Sequence, residues 1–533
     1  MMKINSNNYE NFNVIITITE EYNKLVHFAG FCNKLNCDDI SFVIKYGCGD
    51  SIFESEISEN IHASSYFTDN ADTISFAFDF NIPFIKSGDI DFYIRQKDGD
   101  LFPVKLKYDY TSRINDLKYS FFIGENVLVT RTEKDNSFSV EKLEYEKLCN
   151  AVNLYIDTNF QDEKYEEDRD ILQRYLSQYN IMSKRKIWLI TDRRDRADDN
   201  GEYFFRHSIK IDDGIEKYFV VDKKSPDYER LGKIGNVVAF GSAEHKLLHL
   251  FCEKFISAQL NTRLRDYWNI DKYILYAGLD RGKNVFLQHG VILHEISGWL
   301  KRATQNLKLF VTSSPYEYNS VLKDNYGYDK SVVKLTGMPR YDSLHDDNKK
   351  KIFFAPTWRF SVFNIPKNEF QETDYCKRIC QFLCDKKLID EAKRQGYEIL
   401  FKPHPMLADI ASYFEVDQYV KIIPYDVSYQ TLFAESSLFI TDFSSTAFDF
   451  SYLKKPMIYY QFFENHMGKS YFDYENMGFG EVITEHDKIV EKVIEYMGND
   501  CIMKEEYKHR VDDFFAYHDK NNSKRVYDEI VKM

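Results

Sequence analysis

The feature that most constrains this chain is an alternation that begins at residue 186: short apolar runs separated by helix-like stretches. Ile187-Trp188-Leu189-Ile190, Tyr218-Phe219-Val220-Val221, Val237-Val238-Ala239-Phe240, Val285-Phe286-Leu287, Leu309-Phe310-Val311-Thr312 and Val332-Val333-Lys334-Leu335 form a first series. After a polar bridge, His345-Asp346-Asp347-Asn348-Lys349-Lys350, a second series follows. It runs through Ile352-Phe353-Phe354-Ala355, Glu398-Ile399-Leu400-Phe401, residues 420–423, Leu438-Phe439-Ile440-Thr441 and Met457-Ile458-Tyr459-Tyr460. Strands that alternate with helices belong to parallel sheets, because a parallel connection needs a long crossover. Two series predict two doubly wound α/β domains, 185–345 and 346–533, facing an interdomain cleft. Open sheets of this kind bind ligands beyond the C-terminal ends of their strands.

The first 140 residues read differently. Residues 13–19 are β-branched, and residues 40–46 and 74–80 partly alternate, as half-buried strands do. Runs at 91–95 and 102–108 flank Lys97-Asp98-Gly99-Asp100, a hairpin signal. A second hairpin is expected from 127–131 and 138–140 around Lys134-Asp135-Asn136. Short strands at this spacing predict a small β-sandwich over 1–140. Residues 141–184 are charged and helix-like, with Leu143, Leu148 and Val152 interspersed, and read as a helical connector. The total of 533 residues suits about three domains at roughly 100–200 residues each. In the first α/β half a helix is expected near 202–209, and Ser314-Pro315-Tyr316-Glu317 reads as a capping box.

Charge narrows the partners. With 70 Lys+Arg against 84 Asp+Glu the formal charge is −14, which excludes a general nucleic-acid binder. Phosphate substrates remain open, because an anion site needs only a few placed donors. The nine cysteines include no CxxC pair, which fits a reduced, cytoplasmic setting. The opening residues lack the apolar core of a secretory signal, and no run of about 18 apolar residues predicts a membrane span. Cys376, Cys380 and Cys384 recur at i, i+4, i+8 without zinc spacing, so they read as a helix face. The sequence calls for no metal ion and no cofactor. Residues 292–302 read as an amphipathic helix packed on its own domain, with headgroup contact as the alternative.

Five segments put polar residues just after strands. Gln288-His289-Gly290-Val291 can aim an imidazole into a cleft, to take a proton from a hydroxyl; a loop-bonded histidine is the plainer reading. In Pro356-Thr357-Trp358-Arg359, the Arg359 fork suits phosphate oxygens or a salt bridge. In Lys402-Pro403-His404-Pro405, two prolines stiffen the backbone around His404, and Lys402 adds a cation. Thr441-Asp442-Phe443-Ser444-Ser445-Thr446 leads from strand to helix. Ser444 or Ser445 is the expected N-cap, and the hydroxyls with free N–H groups make an anion site. Asp449, one turn on, suits a ligand hydroxyl or a neighbouring cation. Thr336-Gly337-Met338-Pro339-Arg340-Tyr341-Asp342 lies at the junction as a hinge, a substrate contact or a turn. The charged loop 191–200 reads as a solvated turn or as cleft lining.

Taken together, over about 186–500, these motifs resemble the CDP-glycerol glycerophosphotransferase family, which includes teichoic-acid and capsule enzymes. The resemblance also draws on residues 192–202, Phe448-Asp449-Phe450 and Lys454-Lys455-Pro456-Met457-Ile458-Tyr459-Tyr460. It implies a GT-B-like pair of domains, the first facing the acceptor and the second binding the CDP-linked donor. His289, beside Gly290, would be the general base. Arg359, His404, Ser444 and Ser445 would hold the diphosphate, with Lys402 and Thr446 beside them, and Asp449 would meet a donor hydroxyl. Arg340 counts with the substrate contacts. The implied reaction moves glycerol phosphate from CDP-glycerol to a lipid-linked or growing glycopolymer, at the inner face of the cell membrane. Many members have Trp-His-Gly-Thr where this chain has Gln288-His289-Gly290-Val291, which leaves CDP-ribitol open as the donor. A GT-B glycosyltransferase using a nucleotide sugar, and a non-catalytic scaffold binding envelope glycan, are the competing readings.

Overall fold

The computed structural model describes the whole chain except residues 1–13, 23–24, 34–39, 48–50, 56–57, 60–74, 85, 97–98, 109–111, 261–269, 324, 363–364 and 464–468. The leading segment, the turn residues Lys97 and Asp98, and the expected strand starts Asn13 and Ile74 therefore lie outside the described residues.

The N-terminal region is a two-sheet sandwich. One sheet runs Ser58–Glu59, Ser75–Pro83, Leu25–Asn33, Val14–Tyr22, Leu106–Tyr108. The other runs Phe121–Ile123, Val127–Arg131, Ser137–Lys142, Gly88–Gln96, Ile40–Tyr46, Ser51–Ser55, with Leu101–Pro103 paired onto Gly88–Gln96. Both hairpins form as expected, with Arg95 opposite Leu101 and Arg131 opposite Phe138. The single strand expected over 102–108 is two strands in different sheets. Pro103 has no N–H to extend the first ladder, and the chain crosses over after it. The shared core is aromatic: Phe28 stacks on Phe138 at 5.2 Å and meets Phe92 edge-on at 5.4 Å.

The connector is the helix pair Tyr145–Asn159 and Glu166–Met182. Leu148, Val152 and Tyr155 on one and Leu172 and Tyr175 on the other pack against Phe121 and Leu128 of the sandwich. Leu247, Leu250 and Tyr276 of the next domain complete this core. The connector is thus a wedge with a core of its own.

Two parallel sheets follow. Across the first, the order is Asn236–Ala239, Glu216–Val221, Ile187–Thr191, Lys254–Ser257, Lys283–Phe286, Leu307–Thr312, Val333–Leu335. Across the second it is Val420–Ile422, Glu398–Phe401, Lys351–Phe354, Leu438–Thr441, Met457–Tyr460, Gly480–Ile483. In each, the chain starts in the middle, winds one way, then the other. That is the doubly wound pattern, and its switch point is where ligands bind. The architecture is the expected GT-B-like pair preceded by a small β domain.

Several local readings change. The helix expected near 202–209 runs Asn200–Ser208. Residues 292–302 are not one amphipathic helix: His294 bridges to Ser470, and only Ser297–Leu300 is helical before Lys301. Ser314 does cap its helix, accepting from Tyr316 N at 3.1 Å. Glu317 closes no box with Ser314, because its carboxylate is already bonded by Ser313 N and Ile292 N, both at 2.8 Å. Cys376 is buried in the second domain's core, its sulfur 3.8 Å from that of Cys380. Finally, the last helix, Asn522–Lys532, leaves the second half and packs on the first. Val526, Tyr527 and Ile530 join Trp188, Phe204 and Val285.

Candidate active site between the two parallel sheets

The first domain presents His289 on a loop held from beneath. Gln288 has φ 62°, a left-handed backbone that costs a non-glycine residue about 1–2 kcal/mol. The strained residue of this loop is thus Gln288, and hydrogen bonds fix it. Its side chain donates to the Val311 carbonyl, and its own carbonyl accepts from Asn200 Nδ2 at 2.7 Å. Asn200 Oδ1 accepts from the Arg340 backbone N–H at 3.0 Å. Arg340 Nη1 donates to the His289 carbonyl at 2.9 Å. The same guanidinium is bound on one side by Asp199 (2.5 Å) and on the other by Asp449 (2.5 and 2.8 Å). Arg340 is buried with these partners, and its guanidinium supports the loop. Asp449 meets the neighbouring cation, each of its oxygens accepting one hydrogen bond from Arg340.

The His289 ring opens into the cleft and takes no hydrogen bond on either nitrogen among the described residues. Partial dehydration, with Arg340 and then Arg193 nearby, pushes its pKa down to about 4. The ring is neutral at pH 7 and able to accept a proton.

Arg193 belongs to the charged loop after Ile187–Thr191. That loop is fixed at its root by Asp192, whose buried carboxylate accepts from the N–H groups of Asp199 (3.0 Å), Gly201 (2.6 Å) and Glu202 (2.9 Å). Its outer part reaches the second domain. Arg196 donates to the Tyr425 carbonyl at 3.1 Å and lies 5.0 Å from the Tyr425 ring, while Arg193 lies 5.9 Å from the same ring. The loop is therefore cleft lining, not a solvated turn. Lys402 serves the facing segment. Its ammonium donates to the carbonyls of Pro424 (2.7 Å), Tyr425 (3.1 Å) and Val427 (3.1 Å). An ammonium has three N–H groups, and all three are spent here. Lys402 shapes the loop and is not a diphosphate ligand. Burial, with Arg196 adding to it, lowers its pKa to about 8.

On the second domain, Asp442 gathers the strand ends. It accepts from Thr357 N (2.8 Å) and Oγ1 (2.6 Å), and pairs with Arg359 Nη2 at 2.8 Å. Arg359 thus forms the salt bridge that its residue type allowed, yet its buried Nε has no partner among the described residues. His404 Nδ1 accepts from Met406 N at 3.2 Å, so a neutral ring carries its proton on Nε2. The ring lies 6.1 Å from Trp358. Burial, and then Arg193, lower its pKa to about 4. Ser444 Oγ accepts from Thr446 N at 3.3 Å and contacts Thr446 Oγ1 at 2.7 Å. Ser445 stands at the N-cap with no side-chain cap bond.

The two halves meet at this point. A Cβ placed on Gly290 would lie 2.8 Å from Ser445 Oγ and 3.3 Å from Ser445 Cβ. The bare backbone at Gly290 is what lets the His289 loop rest on the hydroxyl loop. Beside the site, behind Arg196 and Tyr425, is an interdomain cavity of about 710 Å³ whose lining includes Tyr203, Arg206, His345 and Gln430. His289 and His404 do not line it. Sequence reasoning gave no individual site role to Asp192, Arg193, Asp199, Asn200 or Asp442, and read Glu317 only as part of a capping box. The density of Asp, Arg and Asn after a strand was the available signal for the first four.

Residues 172–532 match the family described as CDP-Glycerol:Poly(glycerophosphate) glycerophosphotransferase. The chain belongs to this family. Among similar glycerophosphotransferase-family and teichoic-acid proteins is the minor teichoic acid biosynthesis protein GgaB of Bacillus subtilis (strain 168), 40% identical over 371 residues. That match covers 67% of this chain and 41% of GgaB. The teichoic acid glycerol-phosphate transferase of Staphylococcus aureus (strain NCTC 8325 / PS 47) is 26% identical over 226 residues, 38% of this chain and 55% of that protein. The chain thus spans about two fifths to just over half of these relatives. The wall teichoic acid polymerase TagF has the same fold, with a TM-score of 0.52 at 17% identity over 73% of this chain and 98% of that one.

Proposed function

We propose that this chain transfers glycerol phosphate from CDP-glycerol to a hydroxyl of a lipid-linked or growing cell-surface glycopolymer, releasing CMP. The observation that carries the reading is the contact of Gly290 with Ser445, with both imidazoles in the field of Arg193. It brings the acceptor-side histidine and the donor-side hydroxyls to one place. A scaffold would have no need to converge these groups across two domains.

His289 takes the proton of the acceptor hydroxyl. The oxygen attacks the glycerol-bearing phosphorus, a phosphodiester forms, and the bond to the CMP phosphate breaks with its electron pair leaving on CMP. His404 Nε2–H, Ser444, Ser445 and Thr446 face the diphosphate, with the Arg359 guanidinium behind them, and offset the charge as CMP leaves. The free His289 is a weak base at a pKa of about 4. A bound diphosphate opposes the two arginines and raises that value, so the donor activates the base. No helix among the described residues is long and apolar enough to cross a membrane. Work on a lipid-linked acceptor then implies a peripheral position at the inner face of the membrane.

The test is a panel of CDP-glycerol, CDP-ribitol and nucleotide sugars offered with a polymer acceptor, with nucleotide release measured. Release from CDP-glycerol, lost in His289→Ala while donor binding persists, is the expected result. Near-normal turnover in His289→Ala removes that residue from the mechanism, and release from another donor reassigns the substrate.

A further inference from the structure

We infer that Asn200 and Arg340 are positioning residues for His289, and that Asp449 of the second domain completes their hold. The inference rests on the reading of His289 as the base. His289 has no ring hydrogen bond among the described residues, so its aim comes from its backbone. That backbone follows a left-handed Gln288 and would relax without restraint. Consecutive carbonyls, at 288 and 289, are each held by a side chain from outside the loop: Asn200 Nδ2 at 2.7 Å and Arg340 Nη1 at 2.9 Å. The two holders are joined, since Asn200 Oδ1 accepts from the Arg340 N–H.

Neither holder is free to do anything else. Asn200 is fully buried, with both ends of its amide engaged. The Arg340 guanidinium is fixed between Asp199 of the first domain and Asp449 of the second. Breaking one side of a buried pair leaves an uncompensated charge that must move. Losing Asp449 would release Arg340 toward Asp199, and the His289 carbonyl would lose its donor. A carboxylate on one domain thereby sets the aim of a base on the other. Misplacement of a reacting group by about 1 Å can cost on the order of 100-fold in rate.

The experiment compares Asn200→Ala and the isosteric Asp449→Asn with the unaltered enzyme. Hydrogen exchange of residues 286–292 is read in each, together with kcat and the affinity for CDP-glycerol. The expected result is exchange faster by about tenfold or more and kcat lower by about 10- to 100-fold, with donor affinity within about threefold. Imidazole rescue of His289→Ala separates aim from general damage, because free imidazole needs no aiming. The rescued rate should be the same with and without Asn200→Ala. Unchanged exchange at 286–292 in both variants overturns the inference, as does a rescued rate that falls as far as kcat does. Exchange needs no turnover, so a chain that releases no CMP from any donor refutes the proposed reaction and still leaves the hold on the loop decided.

Discussion

Gly337 tests how the terminal helix is docked. It sits at φ 77°, and a Cβ there would lie 2.0 Å from Asn522 Oδ1 and 2.7 Å from Asn522 Cγ. Asn522 is not at liberty to step aside. Its backbone N–H and Nδ2 donate to Asp342 Oδ1 at 2.8 and 2.9 Å, while Ser523 N donates to Oδ2 at 2.7 Å. Gly337→Ala therefore carries two costs: about 1–2 kcal/mol for the left-handed backbone and about 1–3 kcal/mol for overpacking. The sum is about 2–5 kcal/mol, focused on the start of Asn522–Lys532. Gly396→Ala is the control, since Gly396 has φ 75° with nothing within 4 Å and carries only the backbone cost. The assay is trypsin cleavage at Lys524 and Arg525 under native conditions, read alongside urea unfolding. Cleavage in Gly337→Ala should be at least about 30-fold faster, following the lower cost of opening the helix. Gly396→Ala should shift the urea transition by about 1 kcal/mol and leave this cleavage unchanged. Cleavage within threefold of the unaltered chain in Gly337→Ala would refute the steric argument.

Two further outcomes follow from the titration of His289 and Glu317. The acid limb of kcat/KM, which reports the free enzyme, should fall near pH 4, where His289 titrates, and the limb of kcat should lie higher because the bound diphosphate raises that pKa; a kcat/KM limb at the ordinary imidazole value would count against His289 as the base. Burial pushes the Glu317 carboxyl up to about 7, so between its ordinary value and 7 the folded state binds more protons than the unfolded one. Its contribution to stability is thus fully present below about pH 4.5 and is lost as pH rises through 7. Urea midpoints at pH 5 and pH 8 should show that loss shrinking in Glu317→Gln, and an equal loss in both proteins would rule out the assignment.

Much of the architecture was legible because parallel sheets write themselves plainly: Ile187–Thr191 and Leu438–Thr441 are apolar on both faces and are followed by polar loops. The strand Leu25–Asn33 was missed because Gly30 and Ala29 blunt its alternation, and only its long pairing with Ser75–Pro83 defines it. The motif residues around His289, His404 and Ser444 were legible as polar groups at strand ends. Their division of labour was not. Lys402, Arg340 and Asp449 have the chemistry of ligand contacts, and which partner claims a charge depends on distances across the fold. The return of the last helix was equally hidden, because Val526, Tyr527 and Ile530 would suit the core of either domain.

The docking of that helix has a mechanical consequence. The chain passes from the first domain to the second at Pro339–Ser343 and comes back at Asn522, and Asp342 ties the two passages together. Two crossings fastened at one spot behave as a hinge pin, permitting swing and resisting slide. Displacement in a swing grows with distance from the pin. Arg340, two residues away, stays nearly still, and so does the carbonyl of His289 that it holds. The contacts of Arg193 and Arg196 with Tyr425 lie across the cleft from that pin and would shift in a swing. A swing about this pin would widen the cleft while the His289 carbonyl kept its donor.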